Sequence, residues 1–421
     1  MPQPRVLVIG GGAAGLSAAV SAARLGAAVT VLEAGARVGR KILASGNGRC
    51  NFTNLAVAPS AYNQPEFVAP VLDAMPCEGI REFFGGMGLL SYADDEGRVY
   101  PVTNAANSVL DVLRLECAHR GGVERCGFEV AHVQAAPGGT GLEVFSRAGE
   151  WVYADAVVVA TGGGESLLAE MGHGLVPCVP VLGPLTTELE PIRGLSGVRV
   201  RCAASILGGG GSGTGAESGA TAGASVAASR AEPLATERGE LLFRDYGVSG
   251  IMIFDLSRFI EPDCVLSINF FPDVAADDFA QVMARRLSAL SWRTADTFFN
   301  GMLQTRVAQA VLRSAGIDPK TPAAELSCEW LAALLQDFRV RVVGRGEASQ
   351  FQVTRGGAAV NGFDPATMGS RHVSGLFAAG EMLDVDGRCG GFNLHWAWAS
   401  GIVAGESAAR AAAECAEGGP A

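Results

Sequence analysis

Gly10, Gly12 and Gly15 stand at the spacing G-x-G-x-x-G, and an acid, Glu33, closes the stretch that begins at Arg5. Each residue type has a mechanical use. The first glycine permits a tight turn, the second lets backbone approach a diphosphate, and the third lets a helix lie close on a strand. An acid at Glu33 is placed to accept hydrogen bonds from a ribose diol and suits a ribose without a 2′-phosphate. The chemistry these residues offer is the holding of a dinucleotide: FAD or NAD fits, NADP fits poorly.

Val6 to Ile9 is an apolar, β-branched run of the length of a buried parallel strand. The Ala-rich segment Ala13 to Leu25 predicts a helix broken at Gly26, whose free N–H groups and positive dipole end face the phosphates. A second strand, Ala28 to Leu32, delivers Glu33. The segment Arg37 to Asn54 has neither helical nor strand period and reads as a functional loop. Arg40, Lys41 and Arg49 give it positive charge, while Ser45, Gly46, Asn47 and Gly48 give donors able to curl around a diphosphate. Two further apolar strands, Ala156 to Ala160 and Gly375 to Ala379, close on Thr161-Gly162-Gly163 and on Gly380-Glu381. A turn through Gly387, Gly390 and Gly391 opens a final helix, Leu394 to Ala413. Strand-ending turns spread over the whole chain suit an extended cofactor laid across a sheet edge, which favours FAD over NAD.

Elsewhere, Phe67 to Met87 reads as helical, and a better helix lies within Gly97 to Gly122. Short strands follow around Val123 to Val133, Leu142 to Phe145 and Trp151 to Ala154. Val198 to Leu207, Glu240 to Phe243, Ile251 to Leu256 and Cys264 to Phe270 alternate like strands. The Gly/Ala/Ser tract between the first two reads as a flexible hairpin tip or disordered insertion. Helices are expected over Asp277 to Leu290, Thr297 to Ala315 and Ala324 to Asp337, with apolar positions of packing type. The fold class expected is α/β, a Rossmann-like dinucleotide domain in two pieces, 1–184 and 346–421, interrupted by a β-rich and then helical insertion, 185–345.

A chain of 421 residues with 48% hydrophobic and 18% charged residues describes a globular protein with a substantial core. The net charge of -11 argues against nucleic acid or an anionic membrane as partner. The 10 cysteines include no C-x-x-C pair, so a thioredoxin-like or zinc-ribbon site is unsupported and no metal is expected. With no signal peptide before Val6 and no membrane-spanning apolar run, free thiols in a reducing cytoplasm are expected.

The segments RVGRKILASGNGRCNFTN, GELLFRDYGVSG, TRGG and GEMLDVDGRCGGFNLHWAWASGIVAG together resemble the BaiN/RdsA-type NAD(P)/FAD-dependent oxidoreductase family, the aminoacetone-oxidase-like FAD-binding flavoproteins. The resemblance covers nearly the entire chain; the Gly/Ser tract lies outside the family pattern, and His395 stands where relatives usually carry Gln. It implies a two-dinucleotide-binding-domain type of FAD domain with a β-barrel-like and helical insertion roofing the flavin. By position, it implies Gly10, Gly12, Ala13, Ala14 and Gly15 at the pyrophosphate and Glu33 and Ala34 at the adenosine ribose. Arg40, Lys41, Ser45, Gly46, Gly48, Arg49, Cys50 and Asn51 would wrap the phosphates and approach the flavin. Val130, Thr161, Gly162 and Gly163 would flank the adenine end, and Gly380, Glu381 and Asp384 the ribityl chain. Gly391, Phe392, Asn393 and Leu394 would set a helix N-terminus at the pyrimidine edge of the isoalloxazine, stabilising negative charge near N1.

With a non-covalently held flavin carrying the redox step, no nucleophile–base set is required, and none emerges. The resemblance implies hydride transfer from NADH or NADPH through FAD to a C=C bond conjugated with a carbonyl, in an apolar small molecule such as an unsaturated 3-oxo bile acid or steroid. The proton for the second carbon could come from His395 or Tyr246, each of which has a structural alternative in helix-start bonding or turn packing. An amine oxidase of aminoacetone type, releasing peroxide, is the second expectation. A non-catalytic flavin binder or an RNA-modifying flavoprotein is the third.

Overall fold

The computed structural model describes residues 3–137, 140–162, 166–209 and 232–417. Gly163 and nearly all of the Gly/Ala/Ser tract lie outside the described residues. The chain divides into two compact units, Met1–Val179 with Val353–Ala421, and Pro180–Gln352.

The first unit is built on a five-stranded parallel sheet. Its strands are β1 (Arg5–Ile9), β2 (Ala28–Glu33), β3 (Val123–Cys126), β4 (Ala156–Val159) and β5 (Leu376–Ala378), in the order β5-β4-β1-β2-β3. Val6–Ile9 of β1 and all of β4 are apolar without a break and buried, as expected of central strands covered on both faces. Helix α1 (Ala13–Arg24) follows β1, and the terminal helix α2 (Phe392–Glu417) packs against it. Gly401 and Gly405 make that packing possible. A Cβ on Gly401 would overlap Ser17 Oγ and Ala14 O, and one on Gly405 would overlap Ala18 O, so α2 comes close enough to meet the backbone of α1. Two antiparallel three-stranded sheets complete the unit: one of Thr53–Asn54, Arg98–Pro101 and Ser91–Ala93, the other of Val130–Ala135, Leu142–Ser146 and Trp151–Ala154.

Three local expectations are corrected here. Arg37 to Asn54 is not structureless: it folds as a short helix Arg40–Ala44, a 3-10 turn Ser45–Gly48 and the strand Thr53–Asn54. Phe67 to Met87 is two helices, Pro65–Ala74 and Cys77–Gly85, because Pro76 biases Met75 away from helical backbone. The last helix starts two residues before Leu394 and runs past Ala413.

The second unit is a closed barrel of six antiparallel strands, Leu185–Thr187, Gly247–Ser249, Ala235–Arg244, Arg199–Leu207, Val265–Asn269 and Phe338–Arg345. Leu241, Phe243, Leu266, Ile268, Phe338 and Val340 are among the side chains of its core. Helices Ala276–Leu290, Thr305–Ser314 and Cys328–Gln336 add apolar faces to the same core. Ile251 to Leu256, read above as a strand, is a helix. Gly250, at φ 114, turns the chain, and Met252, Ile253 and Leu256 bury one helical face; a short apolar run cannot be assigned by period alone. The helix expected over Thr297 to Ala315 is likewise two, Ala295–Phe298 and Thr305–Ser314, separated by Gly301 at φ 81. No described helix is long and apolar enough to cross a membrane.

Replacing glycine by alanine inside a helix ordinarily stabilises it by about 1 kcal/mol. Gly405→Ala is expected to do the opposite, lowering stability by roughly 1–3 kcal/mol because its methyl meets backbone that cannot retreat. Urea unfolding measures this, and an unchanged or raised midpoint would show that α1 and α2 do not meet at this point.

Candidate functional site

All five parallel strands end on the same edge, and each delivers one of the expected segments. β1 leads into Gly10–Gly15, β2 ends in Glu33, and β3 leads toward Val130. On the other side β4 leads to Thr161 and Gly162, and β5 to Gly380 and Glu381. This is the edge on which open α/β sheets bind ligands.

The three fingerprint glycines have different reasons to be glycine. Gly10 sits at φ 105, and a Cβ there would lie 2.5 Å from Ala160 O. A Cβ on Gly15 would overlap Gly10 O, so this glycine sets the helix-to-strand distance. At Gly12 nothing lies within 4 Å of the Cβ position, although the backbone there is open to any residue. Space is kept at the mouth of α1, which has neither a capping side chain nor an acid in its first turn. Its dipole and first N–H groups, at Ala13 and Ala14, are thus uncompensated by the protein, which fits a diphosphate. Gly11, outside the fingerprint, is also constrained, because a Cβ there would overlap Val38.

Glu33 is held rather than loose. Its Oε2 accepts from Gly11 N–H at 2.9 Å and its Oε1 from Gly35 N–H at 2.7 Å. Each oxygen retains a lone pair for a diol. Beside it, Phe128 N–H donates to Glu33 O, which brings the chain just before Val130 next to the exposed Ala34.

In the Arg40–Asn51 segment, Lys41 Nζ lies 2.8 Å from Glu381 Oε2 and 3.5 Å from Gly162 O. One lysine therefore joins the loop to the turns after β4 and β5. Ser45 Oγ donates to Ile42 O at 2.6 Å, and Arg40 is exposed. Gly46, Asn47, Gly48 and Cys50 all have left-handed backbone, with φ of 55, 55, 81 and 57. For the two non-glycine residues this costs roughly 1–2 kcal/mol each, a form of strain that collects at ligand clamps. Burial pushes the Cys50 thiol up to about 11, so it stays protonated and is a poor nucleophile. Arg49 does not turn inward to the loop: its guanidinium lies 4.9 Å over the Tyr100 ring.

At the other end, Gly380 has φ 75, and a Cβ there would come within 2.8 Å of Ala14 Cβ. Its N–H donates to Ser400 Oγ, and its carbonyl accepts from the Trp396 indole. A Cβ on Gly391, at φ 103, would be 2.5 Å from Thr53 O and 3.2 Å from Asn51 O, so the turn before α2 lies directly on the Asn51–Thr53 backbone. The α2 mouth therefore sits beside the loop, as Gly391, Phe392 and Leu394 require.

Three side chains serve other purposes than those expected. Asp384 is buried and accepts from Gly356 N–H, Asn63 Nδ2 and Gln64 Nε2, which makes it a brace for the chain rather than a free acceptor. The Asn393 amide accepts from Gly387 N–H and donates to the Gly387 and Arg388 carbonyls, locking the glycine turn. His395 is fully buried, with Nδ1 2.8 Å from Thr53 Oγ1 and Nε2 3.1 Å from Met75 O. A carbonyl partner requires the proton on Nε2, leaving Nδ1 to accept from Thr53, and burial pushes the ring down to about 4. A neutral, doubly bonded imidazole is a substitute for a glutamine amide and not a proton donor. Tyr246 lies in the turn between two barrel strands of the second unit, its ring beneath Arg244 and its carbonyl accepting from Thr187 N–H.

The sequence reading passed over the fully buried Asp386, paired with Arg355 at 2.7 Å, and Asn63, which accepts from Asp386 N–H. The TRGG and DVDG segments were visible signals for that pair. Tyr62, whose hydroxyl donates to Phe392 O, carried none.

Residues 4–407 match the family model described as HI0933-like protein Rossmann domain, and the chain belongs to that family. It is 33% identical over 429 residues to the 3-dehydro-bile acid delta(4,6)-reductase of Clostridium scindens, covering 96% of this chain and 99% of that protein. It is 29% identical to the ribosomal RNA dihydrouridine synthase of Escherichia coli, covering 94% and 95% respectively. Among solved structures, the open conformation of a flavocytochrome c3 fumarate reductase aligns with 98% of this chain and 79% of that one, at 16% identity and TM-score 0.49. The fold is a Rossmann domain with a closed-barrel insertion.

Two outcomes follow from this geometry. Gly12→Ala is expected to leave the unfolding midpoint of the ligand-free protein unchanged while weakening dinucleotide binding at least tenfold, measured by fluorescence titration. His395→Gln is expected to preserve the fold and to flatten the acid sensitivity of stability. Between pH 6.5 and about 4 the unfolded chain binds a proton that folded His395 refuses. Stability is therefore lost as pH falls through that window, by about 3 kcal/mol for this residue. A Tm profile over that range as steep in the glutamine variant as in the parent would contradict the assignment.

Proposed function

We propose that this HI0933-like protein is a FAD-dependent oxidoreductase that uses NADH or NADPH to saturate a C=C bond conjugated with a carbonyl, with an apolar 3-oxo steroid-like molecule as substrate. The observation that carries the FAD reading is the row of adjacent strand ends. A single extended cofactor would touch Glu33, Gly10–Gly15, Thr161–Gly162 and Gly380–Glu381 in the order in which β2, β1, β4 and β5 stand in the sheet. An end-to-end relative named for reducing a 3-dehydro-bile acid supports the substrate class.

The names of the two relatives share one reaction. A delta(4)-3-oxo steroid and a uracil ring each hold a C=C bond conjugated with a carbonyl, and saturation of either adds a hydride to one carbon and a proton to the other. When bound, FAD supplies hydride transfer. The protein supplies position and charge. Ala13 and Ala14 at the α1 mouth, with Lys41 close by, would hold the diphosphate, and Glu33, fixed by two backbone donors, would hold the ribose. The α2 mouth at Gly391–Leu394, braced by Asn393 and Tyr62, would set a positive dipole end at the pyrimidine edge.

Reduction of a uracil in ribosomal RNA is a second reading, favoured by the E. coli relative and opposed by the net charge of -11. An amine oxidase is a third.

An anaerobic titration separates them. NADH or NADPH is expected to bleach the flavin band, and a 3-oxo-4-ene bile acid is expected to restore it. Restoration by uridine-containing ribosomal RNA alone would transfer the reading to RNA. Peroxide release from aminoacetone in air, with no bleaching by either nicotinamide, would establish the oxidase instead.

A further inference from the structure

The reaction proposed above needs a proton for the carbon that does not receive the hydride, and His395 cannot give one. On that reading, we propose that Tyr100 is the proton donor and that Arg49 carries the charge it leaves behind.

Tyr100 lies on the strand Arg98–Pro101, paired with Tyr92 and stacked on it at 6.0 Å between ring centroids. The residue is 4% exposed, and among the described residues nothing hydrogen-bonds its hydroxyl, whose oxygen is not closed off from solvent. A hydroxyl that no protein group occupies and that solvent reaches is free to meet a ligand.

The surroundings place this phenol at the candidate site. Arg49, stacked on the ring, directly precedes Cys50 and Asn51. Arg98, on the same strand face as Tyr100, has its Cγ 3.7 Å from the Cβ position of Gly390, and Asn54 Nδ2 donates to Gly390 O. The ring thus lies beside the Arg49–Asn51 segment, and its strand neighbour Arg98 reaches the turn before α2. Burial is the main influence on the phenol and pushes it above its ordinary range, while Arg98 and Arg49 act in the opposite sense. It is protonated at neutral pH, and the Arg49 guanidinium faces its ring, while Arg98 is already paired with Asp94 and Glu96.

The balance closes. The β-carbon of the enone gains the hydride that NADH or NADPH brings through the cofactor, and the π pair moves toward the α-carbon and carbonyl oxygen. The Tyr100 Oη–H bond breaks as the α-carbon–hydrogen bond forms, giving the saturated ketone. The phenolate recovers its proton from water.

Tyr100→Phe keeps the stack on Tyr92 and the ring beneath Arg49 and removes only the oxygen. Three measurements on the FAD-loaded protein test the proposal: thermal unfolding without substrate, anaerobic flavin reduction by NADPH, and reoxidation by 4-androstene-3,17-dione or a 3-oxo-4-ene bile acid. The expected result is an unchanged melting temperature, unchanged reduction and reoxidation slowed roughly 100-fold or more. A lowered melting temperature would make the hydroxyl structural, and undiminished reoxidation would remove Tyr100 from the chemistry; either overturns the proposal alone. Parent protein whose reduced flavin no enone reoxidises would overturn the enone reading and the role of Tyr100 with it.

Discussion

Backbone of α2 rests on backbone of α1 because Gly401 and Gly405 carry no side chain, and the geometry of the candidate site depends on that contact. α1 begins at the fingerprint loop, and α2 begins at the glycine turn beside the Asn51–Thr53 strand. Setting the two helices side by side brings the first and last parts of the chain to one sheet edge. Gly380 extends the same close fit, because its bare α-carbon faces Ala14. A methyl at any of these points would separate two helix mouths that the proposed cofactor would touch together.

Charge is arranged by omission as much as by placement. No acid or capping side chain answers the α1 N-terminus, so its dipole is left for an anion. The nearby acids are occupied: Glu33 by two backbone N–H groups, Glu381 by Lys41 and Thr354 N–H. Buried acids further along do structural work. Asp386 with Arg355, and Asp384 with Gly356, Asn63 and Gln64, tie the Val353–Ala358 strand and the turn after β5 together. Breaking such a buried pair from one side costs roughly 3–5 kcal/mol, which makes these acids poor candidates for a separate ligand role.

His395 and Tyr100 illustrate how environment assigns chemistry. An imidazole is the usual choice for proton transfer near neutral pH. Here burial and two hydrogen bonds turn it into a neutral spacer between Thr53 and Met75. A phenol is a weaker acid, but the proposed donor Tyr100 has no protein partner on its hydroxyl among the described residues and has the Arg49 guanidinium over its ring.

The amino-acid sequence alone determined the dinucleotide loop, its β-α-β frame, the later strand-ending turns and a β-rich insertion, because each is written in local spacing and apolar period; closure of that insertion into a barrel was only implied by the family resemblance and is decided by the strand pairing. It misassigned Ile251 to Leu256 because a six-residue apolar run fits a strand or a buried helix equally well. It read Arg37 to Asn54 as loop because left-handed residues and short turns leave no periodic trace. Only the tertiary structure decided which side chains are free to act. Asp384, Asn393 and His395 lie in promising motifs, and their partners come from Gly356, Gly387 and Thr53. Tyr100 lies in no motif at all. Whether a polar atom is satisfied depends on groups that the fold brings from hundreds of residues away, as Thr53 is brought to His395.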